Sequence, residues 1–277
     1  MITFRDSVSA PVSCVKVDNV YDLDTRKHAL ALVAQGFSQN SVSKQTGISR
    51  AAIRSWLQRI EPLGYDRAAE CPRCSSTPRL PDDPGSYSYL LGLYLGDGCI
   101  SSAKRGVYSL RIACADAWPG LIDACVTAVQ RARPANKVCR VQSQGCQYVT
   151  SFSKHWPCFF PQHGLGKKHD RKIVLEAWQQ EIVDAHPWDF IRGLIHSDGC
   201  RVINWTTRLV GGERKRYEYP RYFFTNKSDD IRKLCSDTLT AVGVEWTTLA
   251  RGSNPFNISV ARRASVALMD AHVGPKY

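Results

Sequence analysis

The chain has 277 residues, 43% of them hydrophobic and 22% charged, and its 37 Lys and Arg against 25 Asp and Glu give a formal charge of +12. Aromatic residues spread along the whole length exclude a disordered or collagen-like polymer and leave one large domain or two to three small ones, each with a real core. No apolar run approaches the roughly eighteen residues of a membrane span, and the start Met1-Ile-Thr-Phe-Arg-Asp6 has no export signal. A soluble, cytoplasmic protein without a membrane partner is expected, its eleven cysteines mostly reduced thiols, its basic surplus suited to a polyanion.

In chain order, residues 1–18 show no helical period and read as a flexible lead-in. Residues 19–62 read as three short helices. Ala29, Leu30, Leu32 and Val33 recur at helical spacing up to Gly36; Ser38 caps a second helix carrying Val42; the chain turns at Gly47-Ile48; and Ser49 caps a third helix with Ile53, Trp56, Leu57 and Ile60 on one face, closed by Pro62. Helices in this arrangement form a helix-turn-helix, and the exposed start of the last one carries Arg50, Arg54 and Ser55, which can reach base edges and phosphates. The segment Thr25–Arg59 resembles the resolvase and transposase type of helix-turn-helix. That resemblance implies DNA binding; a three-helix packing unit with solvated arginines is the alternative.

Residues 63–85 form a proline-rich connector holding Cys71-Pro-Arg-Cys74. Two thiolates at this spacing can serve zinc, but a structural site needs four ligands, and the other candidates, His155, Cys158, His163 and His169, lie far along the chain. A linker turn with two free thiols is the plainer reading.

The remainder is an internal repeat, residues 86–186 and 187–277. Tyr89-Leu-Leu-Gly-Leu-Tyr-Leu-Gly-Asp97-Gly98 and Phe190-Ile-Arg-Gly-Leu-Ile-His-Ser-Asp198-Gly199 share one pattern, an apolar helix ending in Asp-Gly. Each is followed by a stretch of alternating apolar and basic residues that reads as two antiparallel strands, Cys99–Asp116 and Cys200–Lys227. An amphipathic helix comes next (Gly120–Ala132 and Asp230–Gly243), and then a strand running into a helix (Cys146–Trp156 and Pro255–Ser265).

These two nonapeptides and the matching pattern behind them resemble the LAGLIDADG family of homing endonucleases, in its form with two motifs in one monomeric chain. The earlier acid of the motif is replaced here by Leu95 and His196. The resemblance implies an α+β fold: two αββαββα repeats related by a pseudo-twofold axis, whose antiparallel sheets make a basic saddle for double-stranded DNA. It also implies hydrolysis of phosphodiester bonds with Mg²⁺ or Mn²⁺ held at Asp97 and Asp198 beside Gly96 and Ser197. Lys154 and Arg262, each ending the last strand of a repeat, are expected near the scissile phosphates, where a cation stabilises developing charge.

The side chains support the metal independently. Gly92 and Gly96, like Gly193 and Ser197, lie four apart on one helix face and let two helix axes approach closely. That approach sets Asp97 beside Asp198 at two negative helix ends, a repulsive arrangement unless a cation sits there. Asp-Gly as a simple helix-to-strand turn is the alternative. Alternation along the strands offers Arg105, Arg111, Arg140, Gln142, Gln144, Arg201, Asn204, Arg208, Arg214, Lys215, Arg216 and Arg221 as candidate DNA contacts. Asp116 and Asn226 end corresponding strands and read as helix N-caps, while His163, His169, Lys167 and Lys168 read as a basic loop between the repeats, making phosphate contacts or serving as linker. A non-catalytic DNA-binding regulator on the same fold is the competing function.

Overall fold

The computed structural model describes residues 23–58, 60, 80–251 and 254–277. The chain divides into two compact units, one holding the three N-terminal helices and the other all later elements.

The first unit consists of α1 (Leu23–Ala34), α2 (Gln39–Thr46) and α3 (Arg50–Gln58). The caps are those the sequence offers. Ser38 accepts from the Ser41 amide at 3.1 Å, Ser49 from the Ala52 amide at 3.2 Å, and Gly47 ends α2 at φ 71°, a conformation that costs a side chain dearly. Ala29, Val42, Ile48, Ile53 and Trp56 fill the core. Arg26 lies over the Trp56 ring, 5.3 Å from its centroid, and donates to the Ile60 carbonyl at 3.1 Å. Leu57, expected on the buried face, is half exposed, because two short neighbouring helices cover only the narrow stripe of Ile53 and Trp56. Arg50 and Arg54 are exposed on α3. The lead-in, the Cys71–Cys74 pair, Pro62 and the side chain of Ser55 lie outside the described residues.

The second unit opens with α4 (Pro84–Asp97), β1 (Gly98–Ser102), β2 (Tyr108–Ala115), α5 (Pro119–Ala132), β3 (Val138–Ser143), β4 (Cys146–Ser153) and α6 (Trp156–Phe159). After α7 (Ala177–Ala185) the order returns as α8 (Pro187–Asp198), β5 (Gly199–Val210), β6 (Glu213–Thr225), α9 (Asp229–Ala241), β7 (Thr247–Arg251), β8 (Asn254–Val260) and α10 (Arg263–His272). The two antiparallel sheets have the same strand order, β1-β2-β4-β3 and β5-β6-β8-β7. Leu110, Ile112 and Cys114 alternate inward from β2, and Tyr222 and Phe224 do so from β6, packing each sheet on its helices.

Helices α4 and α8 form the centre of this unit. Each begins with proline at its first position, where the missing N–H costs nothing, and Asp83 caps α4 by accepting from the Ser86 amide at 2.9 Å. From Tyr87 to Leu95 every side chain of α4 is buried, which is why its sequence is apolar all round. The two helices touch backbone to backbone. A methyl on Gly92 would lie 2.6 Å from the Phe190 carbonyl oxygen, and one on Gly193 would lie 2.1 Å from that of Tyr89.

Candidate active site

Close packing continues to the C-terminal ends of α4 and α8. A methyl on Gly96 would strike Ser197 Oγ at 2.2 Å and lie 3.1 Å from Asp198 Oδ2, so the two motif acids stand side by side, each directly before the first strand of its sheet. Ser197 folds its hydroxyl back onto the Gly193 and Leu194 carbonyls, both at 3.0 Å, leaving the crossing free of a protruding polar group.

Asp198 is half-buried and Asp97 is exposed at its helix end, and the protein packed around the pair sets their chemistry. Desolvation and the neighbouring Asp198 carboxylate push Asp97 up to about 6, against the pull of Lys168 and Lys276. Asp198 is also raised by burial, with Lys168, the Asn226 amide and Lys276 opposing. Asn226 Nδ2 donates to Asp198 Oδ2 at 2.6 Å, while its own Oδ1 accepts from the Ser228 amide at 2.8 Å. The first half is built differently: Asp116, at the matching strand end, accepts from Gln142 Nε2 at 2.9 Å and is exposed. Asn226 therefore orients one acid, and Asp116 does not attend the other.

Two lysines complete the cluster. Lys168 Nζ donates to the carbonyls of Tyr94, Gly96 (2.7 Å) and Gly98 (2.9 Å) at the end of α4, and Lys276 Nζ donates to the Ser197 carbonyl (2.8 Å) at the end of α8. Burial lowers Lys168 to about 8, with Asp198 and Asp97 opposing, and burial lowers Lys276 as well. Each comes after the helix that follows the fourth strand of its repeat, α6 or α10, so each half supplies one acid and one lysine. These are the cations the structure sets at the acids, where the strand ends of the sequence pointed to Lys154 and Arg262. Lys154 is exposed, and Arg262 pairs with Glu245 with its side chain largely exposed.

The donor set fits a hard divalent ion. Two carboxylates with the Gly96 and Ser197 carbonyls give only oxygen ligands, few in number, as Mg²⁺ accepts when water and phosphate oxygens complete its shell. Each carbonyl shares its lone pairs with a lysine, and the two ammonium groups would have to tolerate the ion. Among the described residues no group of three or more His, Cys, Asp or Glu could hold a metal, which leaves no zinc cage there.

Strand pairing sorts the candidate contact residues onto two faces. Arg140 and Gln142 turn to the helix side of the first sheet, where Arg140 pairs with Asp123 of α5 at 2.6 Å and Gln142 meets Asp116. Arg201 does the same in the second sheet, gripping Asp270 of α10 at 2.7 and 2.9 Å. Arg111 lies on the other, open face, opposite Cys99 and Thr150. Asn204, Arg208, Lys215 and Arg221 share the open face of β5 and β6, while Arg214 and Arg216 point to the reverse. Arg105 and Gln144 are exposed in the turns joining β1 to β2 and β3 to β4.

A family model described as a homeodomain-like domain matches residues 21–68. Solved structures similar to the chain include I-DmoI in complex with DNA and Mn, with 16% identity over 70% of this chain and 98% of that one and a TM-score of 0.44. The LAGLIDADG meganuclease I-AabMI bound to uncleaved DNA has 12% identity, covering 69% and 84%, with a TM-score of 0.43. The N-terminal LAGLIDADG domain of DUF199/WhiA has 11% identity, covering 71% and 87%, with a TM-score of 0.42. No curated protein sequence matches. The molecule's own topology is a helix-turn-helix followed by an α+β unit of two αββαββα repeats joined along α4 and α8.

Proposed function

We propose that the protein is a sequence-specific, metal-dependent endonuclease of double-stranded DNA. One observation carries the reading: two equivalent helices deliver two carboxylates to one point, at the root of both sheets, with a lysine from each repeat beside them. When bound, a divalent ion would supply Lewis acidity and a hydroxide nucleophile at neutral pH. Asp97 and Asp198, with the Gly96 and Ser197 carbonyls, would hold it. Lys168 and Lys276 are placed to balance charge on the phosphate, and Asn226 holds Asp198 in one orientation. Both acids come from one chain, so one copy suffices and a monomer is expected. The basic open faces would lie on the duplex, and Arg50 and Arg54 of the helix-turn-helix would lengthen the recognised site.

The same cluster favours a second reading. Two ammonium groups already offset part of the charge of the two carboxylates, and a non-catalytic DNA-binding regulator would keep that cluster without a metal. Selection of bound duplexes from a randomised pool, followed by incubation with Mg²⁺ or with EDTA, separates the two. Cuts at the selected sequence in Mg²⁺ alone support the endonuclease. Enriched binding with intact DNA in both conditions leaves the regulator, and no enrichment removes both.

A further inference from the structure

Among the described residues, Lys168 donates to three carbonyls at the end of α4 and Lys276 to one, that of Ser197, at the end of α8. Holding a long, flexible side chain in one rotamer costs conformational entropy, so the main chain that carries it must be fixed first. Next to Lys276 it is fixed by the opposite repeat. Gly274, at φ 71°, closes α10 and turns the chain. The Tyr277 carbonyl then accepts from the Leu121 amide of α5 at 3.1 Å. Leu121 is the third residue of α5, so its amide is one that a helix start leaves without an internal partner, and Trp118 at the cap position offers no side-chain bond. The Tyr277 ring lies on Gly120, so close that a methyl there would fall onto ring carbons Cδ2 and Cε2.

The first repeat carries the same device in the opposite direction. Beyond Lys168 the chain reaches α9 of the second repeat, where the amide of buried Ile173 donates to Asp230 Oδ2 at 2.7 Å. Asp230 and Gly120 are the second residues of α9 and α5, so the two fastenings occupy equivalent places. Helix α9 is capped by Ser228, which accepts from the Ile231 amide at 3.3 Å, and the Asp230 carboxylate therefore serves the crossing chain rather than its own helix. Tyr277 is 64% exposed, so its ring adds little to any core. What its contact secures is the path of the main chain beside Lys276.

We infer that each repeat aims its lysine by way of the other: Tyr277, through Gly120 and Leu121, is a positioning residue for Lys276, and Asp230, through Ile173, is a positioning residue for Lys168. That the aimed lysines assist cleavage rests on the proposed endonuclease; the aiming itself does not.

Acetylation of the full chain by N-hydroxysuccinimide acetate, followed lysine by lysine with peptide mass spectrometry, tests the aiming without reference to cleavage. Tyr277→Ala removes the ring, and Gly120→Ala expels it from the other side of the contact. Each should raise labelling of Lys276 about tenfold, the effect of losing about one hydrogen bond's worth of restraint, with Lys168 unchanged. Asp230→Ala should raise Lys168 instead, with Lys276 unchanged, and Tyr277→Phe, which keeps the ring, should label as the parent does. Single-turnover cleavage of the selected duplex in Mg²⁺ reads the consequence. Tyr277→Ala should slow cutting at unchanged duplex affinity and add nothing to the loss caused by Lys276→Ala, whereas a ring that only stabilised the fold would add its effect to that loss. Labelling of Lys276 unchanged in both Tyr277→Ala and Gly120→Ala, or raised alike at both lysines, would overturn the inference. A parent and variants that label as expected while no duplex is cut would overturn the endonuclease and leave the aiming in place.

Discussion

Gly193→Ala adds a single methyl where the backbones of α8 and α4 meet, and the structure allows its cost to be worked out. The new carbon would lie 2.1 Å from the Tyr89 carbonyl oxygen and 2.9 Å from Gly92 Cα. Both are main-chain atoms inside α4, so no side chain can swing aside, and the axes must part by about 1 Å before the contact reaches an ordinary van der Waals distance. Alanine's better helix propensity returns about 1 kcal/mol. Overpacking typically costs about 1–3 kcal/mol, and this site belongs at the upper end because the collision is with backbone. A net loss of about 2 kcal/mol follows. Gly92→Ala, 2.6 Å from the Phe190 oxygen, should cost a similar amount, and the double variant should cost less than the sum because one separation of the helices relieves both clashes. Urea unfolding of the metal-free protein at constant m-value measures each loss. A midpoint that is unchanged or raised for Gly193→Ala would refute the backbone contact on which the pairing of the acids depends.

Asp97 should be a stability liability without metal. Its folded value of about 6 lies above the unfolded 3.8, so its charge opposes folding above about pH 6 and the penalty fades as pH falls toward 4. Asp97→Asn should therefore stabilise the metal-free protein at pH 8, by about 1 kcal/mol or less because the exposed carboxylate is screened by solvent, and lose the advantage near pH 4; thermal unfolding at the two pH values checks this, and a loss at pH 8 would contradict it. Asp270 behaves oppositely, since Arg201 and Tyr222 hold its carboxyl below the usual range. Its contribution is present at neutral pH and lost as pH falls through the folded value, so Asp270→Asn should destabilise at pH 7 and converge with the parent in acid. In the helix-turn-helix, Ser38→Ala removes the cap on the Ser41 amide and should cost about 1 kcal/mol, read from the thermal transition of a protein comprising that unit.

The features that show in the sequence are those written in local chemistry. Ser38, Gly47 and Ser49 announce the helix ends because a cap is satisfied within a few residues. The pair of Asp-Gly nonapeptides, with small residues four apart, announces both the helices and their contact. Alternation along β2, β3, β5 and β6 correctly implies two faces but does not say which face is open. Arg140, Gln142 and Arg201 look like contact residues until Asp123, Asp116 and Asp270 arrive from elements distant in sequence to claim them. Lys168 and Lys276 illustrate the same limit. Lys276 sits in no motif and Lys168 shows only as part of a basic loop, and each reaches the acids because the chain returns there after the helix that follows the fourth strand of its repeat. The signal available was their equivalent position, one after α6 and one after α10, rather than the strand ends that pointed to Lys154 and Arg262. The length of the second hairpin is visible in Cys200–Lys227, but that β8 leaves it unaccompanied is a property of the sheet.

The central claim is that Asp97 and Asp198 form one metal-dependent site for phosphodiester cleavage. A supercoiled plasmid carrying the selected sequence, incubated with the parent protein, Asp97→Asn or Asp198→Asn in Mg²⁺ and in EDTA, tests it most directly. The account predicts linear product from the parent in Mg²⁺ alone, and none from either variant although both still bind the site. Linearisation that persists in both variants, or that proceeds in EDTA, would contradict it.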